Sequence, residues 1–245
     1  MAENFPLIGR KPGKKPQVRD MFDHIAPRYD LLNRILSFGI DQRWRRKAIQ
    51  MVVEGSPENV LDVATGTADL AIAAAHRGVP RVVGIDIAAK MLEIGREKIR
   101  EAGLDDRVEL LEGDAEALPF ADDEFDAAVV AFGVRNFENL DAGLAEFQRV
   151  LKPEGRLVVL EFSRPRHFPI KQLYGFYSRF ILPGVGKTVS RDSGAYRYLP
   201  ESISEFPDGQ AFLDRMKASG FVRRSALRLT FGVASLYVGD AGDRI

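Results

Sequence analysis

The chain has 245 residues, of which 45% are hydrophobic and 29% charged, and it contains no cysteine. This composition excludes a disordered or collagen-like chain, a disulfide scaffold, a cysteine-ligated metal site and a thiol nucleophile. Lys plus Arg and Asp plus Glu number 35 each, so no overall charge points to a nucleic-acid partner, and none is expected.

The first 54 residues predict a tail followed by a helical cap. Residues 1–17 contain three prolines and four Lys or Arg, which indicates a flexible tail. Residues 18–54 predict a cap made of two helices, near 18–36 and 41–54.

From residue 59 onward, apolar segments alternate with amphipathic ones. The predicted strands of this region are 59–64, 81–85, 108–111, 127–132 and 156–162. The predicted helices between them are 69–77, 88–102 and 140–151. Because strands that alternate with helices form parallel sheets covered on both faces, the pattern predicts a doubly wound α/β fold.

The C-terminal segments end this alternation. Residues 163–207, rich in aromatic residues and Arg, predict a helical lid insertion, and residues 208–219 predict a helix. Residues 221–227 and 229–238 predict two strands with no helix between them, so these strands should pair antiparallel. We therefore expect a single domain over 18–245 with a mostly parallel, seven-stranded, Rossmann-like sheet and an antiparallel C-terminal edge hairpin.

The balanced total hides a segregation of charge along the chain. Residues 1–50 carry 11 Lys or Arg against 5 acids, residues 105–126 carry one Arg against 10 acids, and residues 163–231 carry 12 Lys or Arg against 5 acids. One interpretation is that these charges form an ordinary solvated surface. The other is that the two basic segments flank the opening of a binding site that faces an anionic ligand or an anionic membrane. No secretory signal and no run of about 18 apolar residues is recognisable, so we expect a cytoplasmic location, with peripheral membrane contact under the second interpretation.

Short polar and small residues follow three consecutive predicted strands. Gly66 and Thr67 follow the first strand, Asp86 ends the second, and Asp114 and Ala115 follow the third. The ends of these strands meet where doubly wound sheets bind ligands. An acid at position 86 can accept both hydroxyls of a ribose, Asp114 can accept from an adenine amino group, and the helix start near Thr67 can meet a carboxylate.

A nucleoside bound in this way belongs to NAD or to S-adenosyl-L-methionine. The pyrophosphate of NAD needs the pattern Gly-x-Gly-x-x-Gly, of which only Gly66 is present, with Ala68 where the next glycine would stand. S-adenosyl-L-methionine, which has no phosphate, fits better. A nicotinamide dehydrogenase of the short-chain type would also need a Tyr-x-x-x-Lys pair, which the chain lacks. A non-enzymatic binding module on the same scaffold is the third interpretation.

Two stretches resemble the signatures of the ubiquinone/menaquinone biosynthesis C-methyltransferases. They are FDHIAPRYDLLNRILSFGIDQRWRRK at 22–47 and RVLKPEGRLVVLEFSRP at 149–165. Three shorter matches fall in the expected order, namely AEALPF (115–120), FGVRNF (132–137) and AYRYLPESI (195–203). The similarity covers essentially residues 18–238. It implies a class I methyltransferase that methylates a ring carbon of a prenylated quinol, in the menaquinone pathway, the ubiquinone pathway or both. The alternative is another small apolar aromatic acceptor.

The resemblance also implies site residues. The family's cofactor contacts map onto Thr67, Asp86, Asp114, Ala115 and Ala131. Position 131 usually holds Ser, so its hydroxyl contact is missing here or is supplied by the backbone.

Two further departures from the family are Ala68, where Gly is usual, and Asp41, where His is usual. The second removes an imidazole that could have shuttled a proton. Neither departure removes the acids that would bind the nucleoside.

A methyl sulfonium is a strong electrophile, so no metal is expected, and the three histidines lie far apart in the chain. The enzyme must align the methyl group with the ring carbon and favour an ionised quinol oxygen. Arg135, after the fourth strand, is expected to stabilise that oxyanion. Tyr29 and Asp30 are the candidates for a proton relay, and Asn33 for holding the ring hydroxyls.

The segment 168–185 mixes aromatic and aliphatic residues with two bases. It is interpreted as a lid that holds the prenyl tail, with Tyr177 as a substrate contact, and as a surface that can face lipid. A packed helical cap with solvated bases explains the same pattern. Whether the chain forms a homodimer stays open.

Overall fold

In the computed structural model of this chain, the described residues are 13–177 and 194–243, without the side chains of 194–197. Predictions for 1–12 and 178–193, which include much of the tail and the middle of the lid insertion, lie outside this description. Seven strands are present in the described part. They are β1 (Asn59–Val63), β2 (Arg81–Asp86), β3 (Val108–Glu112), β4 (Phe125–Ala131), β5 (Leu151–Phe162), β6 (Phe221–Leu229) and β7 (Ala234–Ala241).

These strands form one sheet in the order β3-β2-β1-β4-β5-β7-β6. The strands β1 to β5 pair in parallel, and β7 runs antiparallel between β5 and β6. This confirms the predicted sheet. Val63 pairs with both Ile85 and Val130, so β1, β2 and β4 end together at one edge of the sheet.

Helices surround the sheet and explain the apolar runs of its strands. They are α1 (Lys14–Ile25), α2 (Tyr29–Leu36), α3 (Asp41–Val53), α4 (Asp69–His76), α5 (Ala89–Ala102), α6 (Leu140–Val150), α7 (Ile170–Phe176), α8 (Gly194–Glu205) and α9 (Gln210–Ala218). Val60 faces a core with α3, α4 and α5, whereas its neighbour Leu61 faces a core with α6 and α9. Both faces of the strand are therefore buried, which requires apolar residues at successive positions.

The N-terminal part differs from the prediction in two respects. The helix α1 begins at Lys14, so the tail predicted over 1–17 is wrong for its last four residues. Pro16 lies in the first turn of α1, where a backbone N–H has no partner within the helix, so proline is tolerated. The single helix predicted near 18–36 is divided by a 3₁₀ turn at Ala26–Arg28, which contains Pro27.

The C-terminal strands also differ in their bounds. The strand predicted over 229–238 begins too early, because Thr230 and Phe231 have φ angles of 45° and 56°. These left-handed conformations cannot belong to a strand, so they form a turn between β6 and β7. The other clear difference is β5, which begins at Leu151 rather than 156, with a register shift where it pairs with β4.

The N-terminal cap lies over the edge where the parallel strands end. Val18 and Leu32 pack with Tyr198 of α8. Ala26 packs with Ala88 and Met91 at the start of α5. The loops after β1, β2, β3 and β4 are therefore enclosed between the sheet and the cap.

Candidate active site

Two adjoining cavities lie under the cap. The smaller one is lined by the loops after β1, β2, β3 and β4 and by α1. Five of the six predicted cofactor residues line it, namely Gly66, Asp86, Asp114, Ala115 and Ala131. The larger cavity, of about 260 Å³, is enclosed by α1, α2 and α3, by α7 and α8, and by the turn before β7.

Asp86 at the end of β2 is fixed by two backbone amides. Its Oδ2 accepts a hydrogen bond from the N–H of Gly66 at 2.9 Å, and its Oδ1 accepts one from Ala88 at 2.9 Å. Burial raises the pKa of the Asp86 carboxyl to about 6. The hydrogen bonds from the two backbone amides lower this pKa, but the effect of burial is larger. At neutral pH the side chain is thus an ionised acceptor in a largely apolar cavity, which suits hydroxyl groups.

Asp114 is contacted by a lysine of the N-terminal helix. Its Oδ2 lies 2.7 Å from Lys15 Nζ, which is also 3.0 Å from Glu116 Oε2. The neighbouring Lys14 Nζ donates to the carbonyls of Arg135 at 3.2 Å and of Phe137 at 2.9 Å. The helix α1 therefore crosses the smaller cavity. Sequence reasoning missed both lysines because they fell in the predicted tail.

Thr67 and Asp30 are brought together, but neither lines the two cavities. The Thr67 hydroxyl donates to Asp30 Oδ1 at 2.8 Å. Lys98 Nζ donates to Asp30 Oδ2 at 3.1 Å and also pairs with Asp69. The hydroxyl of Thr67 and the charge of Asp30 are thus already engaged, and their roles as a cofactor contact and a relay residue stay predictions.

The larger cavity contains the other predicted substrate residues. Tyr29, Asn33, Arg135 and Tyr177 all line it. The Tyr177 hydroxyl donates to the carbonyl of Leu36 at 2.7 Å, and burial raises the pKa of Tyr177.

The two cavities share part of their walls. Phe22, Tyr29 and Phe132 line both of them. The two cavities are therefore adjacent.

Arg135 forms a buried ion pair with Glu161 of β5. Their Nη1 and Oε1 atoms are 2.9 Å apart, and the two side chains are 7% and 0% exposed. Arg135 Nη1 also donates to the carbonyl of Phe132, and Nε donates to Ser202 Oγ at 3.3 Å. Burial raises the pKa of Glu161, while the charge of Arg135 opposes this rise. Sequence reasoning missed Glu161, although a single acid in an otherwise apolar strand implies a buried partner.

Aromatic rings form the wall of the larger cavity next to this ion pair. The rings of Phe132 and Phe162 have centroids 4.5 Å apart and planes inclined by 31°. Trp44 of α3 lies edge-on to Phe162 at 6.2 Å, and its Nε1 donates to Thr230 Oγ1 at 2.9 Å. Such a wall suits a flat, apolar ring.

Asp62 was also missed by sequence reasoning. It is 1% exposed, and its Oδ2 accepts from Thr65 Oγ1 at 2.6 Å and from the N–H of Ala71 at 3.1 Å. Burial raises the pKa of Asp62 to about 7. These bonds fix the loop that presents Gly66 to the smaller cavity.

The chemistry of the smaller cavity is compatible with S-adenosyl-L-methionine. Its polar acceptors include the carboxylates of Asp86 and Asp114, which suit a ribose and an amino group, besides Glu116 and Asn136. At Gly113 the wall is tight, since an added Cβ would lie 2.5 Å from Ile85 Cδ1. Glycine thus lets the backbone after β3 pack closely against Ile85, which also lines the cavity.

Comparisons with known proteins agree with this geometry. Residues 10–240 match the model of the ubiE/COQ5 methyltransferase family. The chain is 47% identical over 240 residues to a demethylmenaquinone methyltransferase of Bacteroides fragilis, with 96% of this chain and 98% of the relative covered. It is 45% identical over 231 residues to a ubiquinone/menaquinone biosynthesis C-methyltransferase of Geobacter sulfurreducens, with 94% and 90% covered. A solved SAM-dependent methyltransferase of Thermotoga maritima shares the fold, with a TM-score of 0.65 at 17% identity over 91% of this chain and 99% of that one.

Proposed function

Because the chain belongs to the ubiE/COQ5 methyltransferase family, we propose that it transfers a methyl group from S-adenosyl-L-methionine to a ring carbon of a prenylated quinol. Demethylmenaquinol is the first acceptor proposed, since relatives at 47% identity bear that name. A ubiquinone precursor is the second, in view of the name of the Geobacter relative. The observation that carries this function is the junction of a carboxylate-lined cavity with an aromatic one through Tyr29 and Phe132.

In this proposal, Asp86 binds the ribose hydroxyls, Asp114 binds the adenine amino group, and Ala115 and Ala131 leave room for the nucleoside. When bound, S-adenosyl-L-methionine supplies an electrophilic methyl group that the ring carbon takes as the bond to sulfur breaks, after which the ring loses a proton and regains aromaticity. The protein positions the ring and stabilises its ionised oxygen.

Arg135 is proposed to bind one quinol oxygen. Its hydrogen bonds use Nε and Nη1, so the two donors on Nη2 make no bond within the described part of the chain. Glu161 holds the guanidinium in place. Tyr29 and Asn33 are proposed to contact the ring, and Tyr177 the beginning of the prenyl tail.

The test is a methyl-transfer assay with purified protein. We expect reduced demethylmenaquinol and S-adenosyl-L-methionine to give menaquinol, detected as the gain of one methyl group by mass spectrometry. Parallel assays with the prenylated methoxy-benzoquinol precursor and with 1-naphthol rank the acceptors. Methylation of the naphthol alone would overturn the quinol assignment, and methylation of the precursor alone would exchange the first acceptor for the second.

A peripheral contact with the membrane is the second part of the proposal. Apolar side chains are exposed between α2 and α3 and around the start of α7, near the larger cavity. They are Phe38 (79% exposed) after α2, Phe168 (81%) before α7 and Leu173 (62%) on α7. Lys171 lies among them in the sequence. This combination suits an anionic lipid surface that delivers a prenylated substrate. Within the described residues, no helix is long and apolar enough to cross a bilayer.

Liposome flotation tests this contact. We expect the chain to float with anionic vesicles and to remain below when Phe168 and Leu173 are both replaced by Asp. Flotation of neither protein would remove the membrane contact, and equal flotation of both would assign the contact to residues other than Phe168 and Leu173. Neither outcome would affect the methyl transfer. Sedimentation velocity of the same samples measures whether a homodimer forms.

A further inference from the structure

Arg45 is a second cation in the wall of the larger cavity. It lies on α3, its side chain is 15% exposed, and its guanidinium carbon stands 5.5 Å from the centroid of the Phe132 ring. Arg135 stands in the same way 5.4 Å from the centroid of Phe162. One guanidinium group thus lies next to each of the two neighbouring rings, Phe132 and Phe162.

The two guanidinium groups differ in how far their charges are satisfied. Arg135 is paired with Glu161 at hydrogen-bond distance and makes further bonds. Arg45 makes no hydrogen bond within the described residues, and its buried Nε has no partner there. Its neighbouring carboxylate is Asp41, whose Oδ2 is 3.7 Å from Nε. Nε itself is too deeply buried to meet a ligand, but Nη1 and Nη2 also make no hydrogen bond within the described residues and are the donors left for a ligand in the cavity.

The charges that face Arg45 come from two elements. Asp41 lies on its own helix and is engaged by the hydroxyl of Ser37 at 2.6 Å. Asp62 on β1 attracts Arg45 electrostatically. Its Oδ2 is bound by Thr65 and by the N–H of Ala71, whereas its buried Oδ1 has no hydrogen-bond partner within the described residues, so this carboxylate offsets the charge of Arg45 without a direct bond. The remaining neighbours in the cavity wall include tyrosines and the balanced pair of Arg135, so Arg45 is the cation with the most incomplete pairing there.

We propose that Arg45 binds the quinol oxygen that ionises next to the methylated carbon, while Arg135 binds the second ring oxygen. This rests on the proposed function and assigns a further catalytic residue to it. A quinol carries two oxygens at opposite ends of its ring, and the larger cavity provides one guanidinium for each. The oxygen releases its proton to solvent water and becomes a phenolate. Its electron pair moves through the ring to the neighbouring carbon, which forms the bond to the methyl group as the bond from that methyl group to sulfur breaks and S-adenosyl-L-homocysteine is left. The same carbon then gives its hydrogen to water as a proton, and the ring regains aromaticity. A cation with unsatisfied donors stabilises this phenolate more than a cation already paired with Glu161.

Ionisation of a bound ring tests this assignment without turnover. The probe is 1,4-naphthalenediol, kept reduced under anaerobic conditions and titrated by absorption in the presence of the protein. We expect Arg45→Gln to raise the apparent pKa of the bound diol by about one unit or more, since a cation at contact distance lowers such a pKa by about 1–3 units. Arg43→Gln, on the same helix but exposed, is the matched control and should change nothing.

Two more variants keep the test decisive. Asp41→Asn removes the carboxylate that competes for Arg45 and should lower the pKa of the bound diol, which is the opposite direction. Arg45→Lys retains the charge and should restore most of the effect. An unchanged pKa in Arg45→Gln, or in Asp41→Asn if the first variant does not fold, overturns the inference.

The same variants are then assayed for methyl transfer. In Arg45→Gln, kcat/KM for demethylmenaquinol at pH 7 should fall about tenfold or more and recover at higher pH, as one pKa unit corresponds to a factor of ten. Absence of methylation by the wild-type protein would remove the proposed function. The diol titration would still decide whether Arg45 stabilises an oxyanion.

Discussion

Asp86 is a half-buried carboxylate whose ionised form is the better acceptor of hydroxyl hydrogen bonds. Its pKa, raised by burial to about 6, lies above its usual value of 3.8. The folded protein without cofactor therefore holds this proton more tightly than the unfolded chain does. The contribution of Asp86 to stability is present at low pH and is lost as the pH rises from about 4 to about 6. Cofactor binding has the opposite dependence, because it needs the ionised form.

We predict that the affinity for S-adenosyl-L-methionine decreases as the pH falls below about 6, by about tenfold at pH 5. Asp86→Asn should lower the affinity about tenfold to a hundredfold at pH 8, since hydrogen bonds to a charged group contribute about 1.5–3 kcal/mol. The variant should also lose the pH dependence. Isothermal titration calorimetry measures both effects, with the exposed Asp105→Asn as control. A pH dependence that persists in Asp86→Asn would assign it to another group.

Arg135 and Glu161 stabilise each other inside the protein, so a single substitution has two consequences. Arg135→Ala should abolish turnover and spare cofactor binding, and it should lower the free energy of unfolding by about 3–5 kcal/mol because Glu161 is left buried and unpaired. The double variant Arg135→Met with Glu161→Met should regain most of that stability but no activity. Thermal unfolding and the methyl-transfer assay separate the two effects. Retained turnover in either variant would exclude Arg135 from the mechanism.

The sequence was sufficient to identify the residues at strand ends, but it did not reveal their partners. Asp86 and Asp114 could be predicted because the ends of parallel strands meet at one edge. Glu161, Asp62 and Arg45 were missed, because their importance depends on burial and on contacts between segments distant in the chain.

The helix α1 is the element whose placement the sequence predicted least well. It is short and rich in Lys and Pro, so a tail was the simpler interpretation. What positions it is tertiary: two lysines bind groups on the loops after β3 and β4. The strands, in contrast, were predictable because their burial on both faces requires continuous apolar runs. The boundary between β6 and β7 could not be predicted, because it depends on the backbone conformation of Thr230 and Phe231.

The contact of α1 with Asp114 leads to a prediction about cofactor affinity. Lys15 occupies the carboxylate that we assign to the adenine amino group, and this partly exposed pair is worth about 0.2–1 kcal/mol. We therefore expect Lys15→Met to increase the affinity for S-adenosyl-L-methionine by up to about fivefold. Arg19→Met, which lies on the same helix and pairs with its neighbour Asp20, is the control. A weaker affinity in Lys15→Met would mean that the lysine contacts the cofactor itself.

At the scale of the whole molecule, the cap and the sheet enclose the cavity in which we propose that the cofactor binds, so binding should stabilise the entire fold. A ligand at a hundred times its Kd adds about 2.7 kcal/mol to the free energy of unfolding. For a chain of this size that corresponds to a rise in Tm of about 5–10 °C. Differential scanning fluorimetry with S-adenosyl-L-methionine should show this rise, and NAD should leave Tm unchanged. The reverse result would favour the dinucleotide.

The position of Trp44 gives the protein its own optical reporter. It is the single tryptophan of the chain, and it lines the larger cavity but not the smaller one. An aromatic acceptor that enters beside it should quench its emission, whereas the methyl donor alone should have little direct effect. Stopped-flow recordings can therefore follow arrival of the acceptor without any label, and they can establish whether it enters before or after the donor.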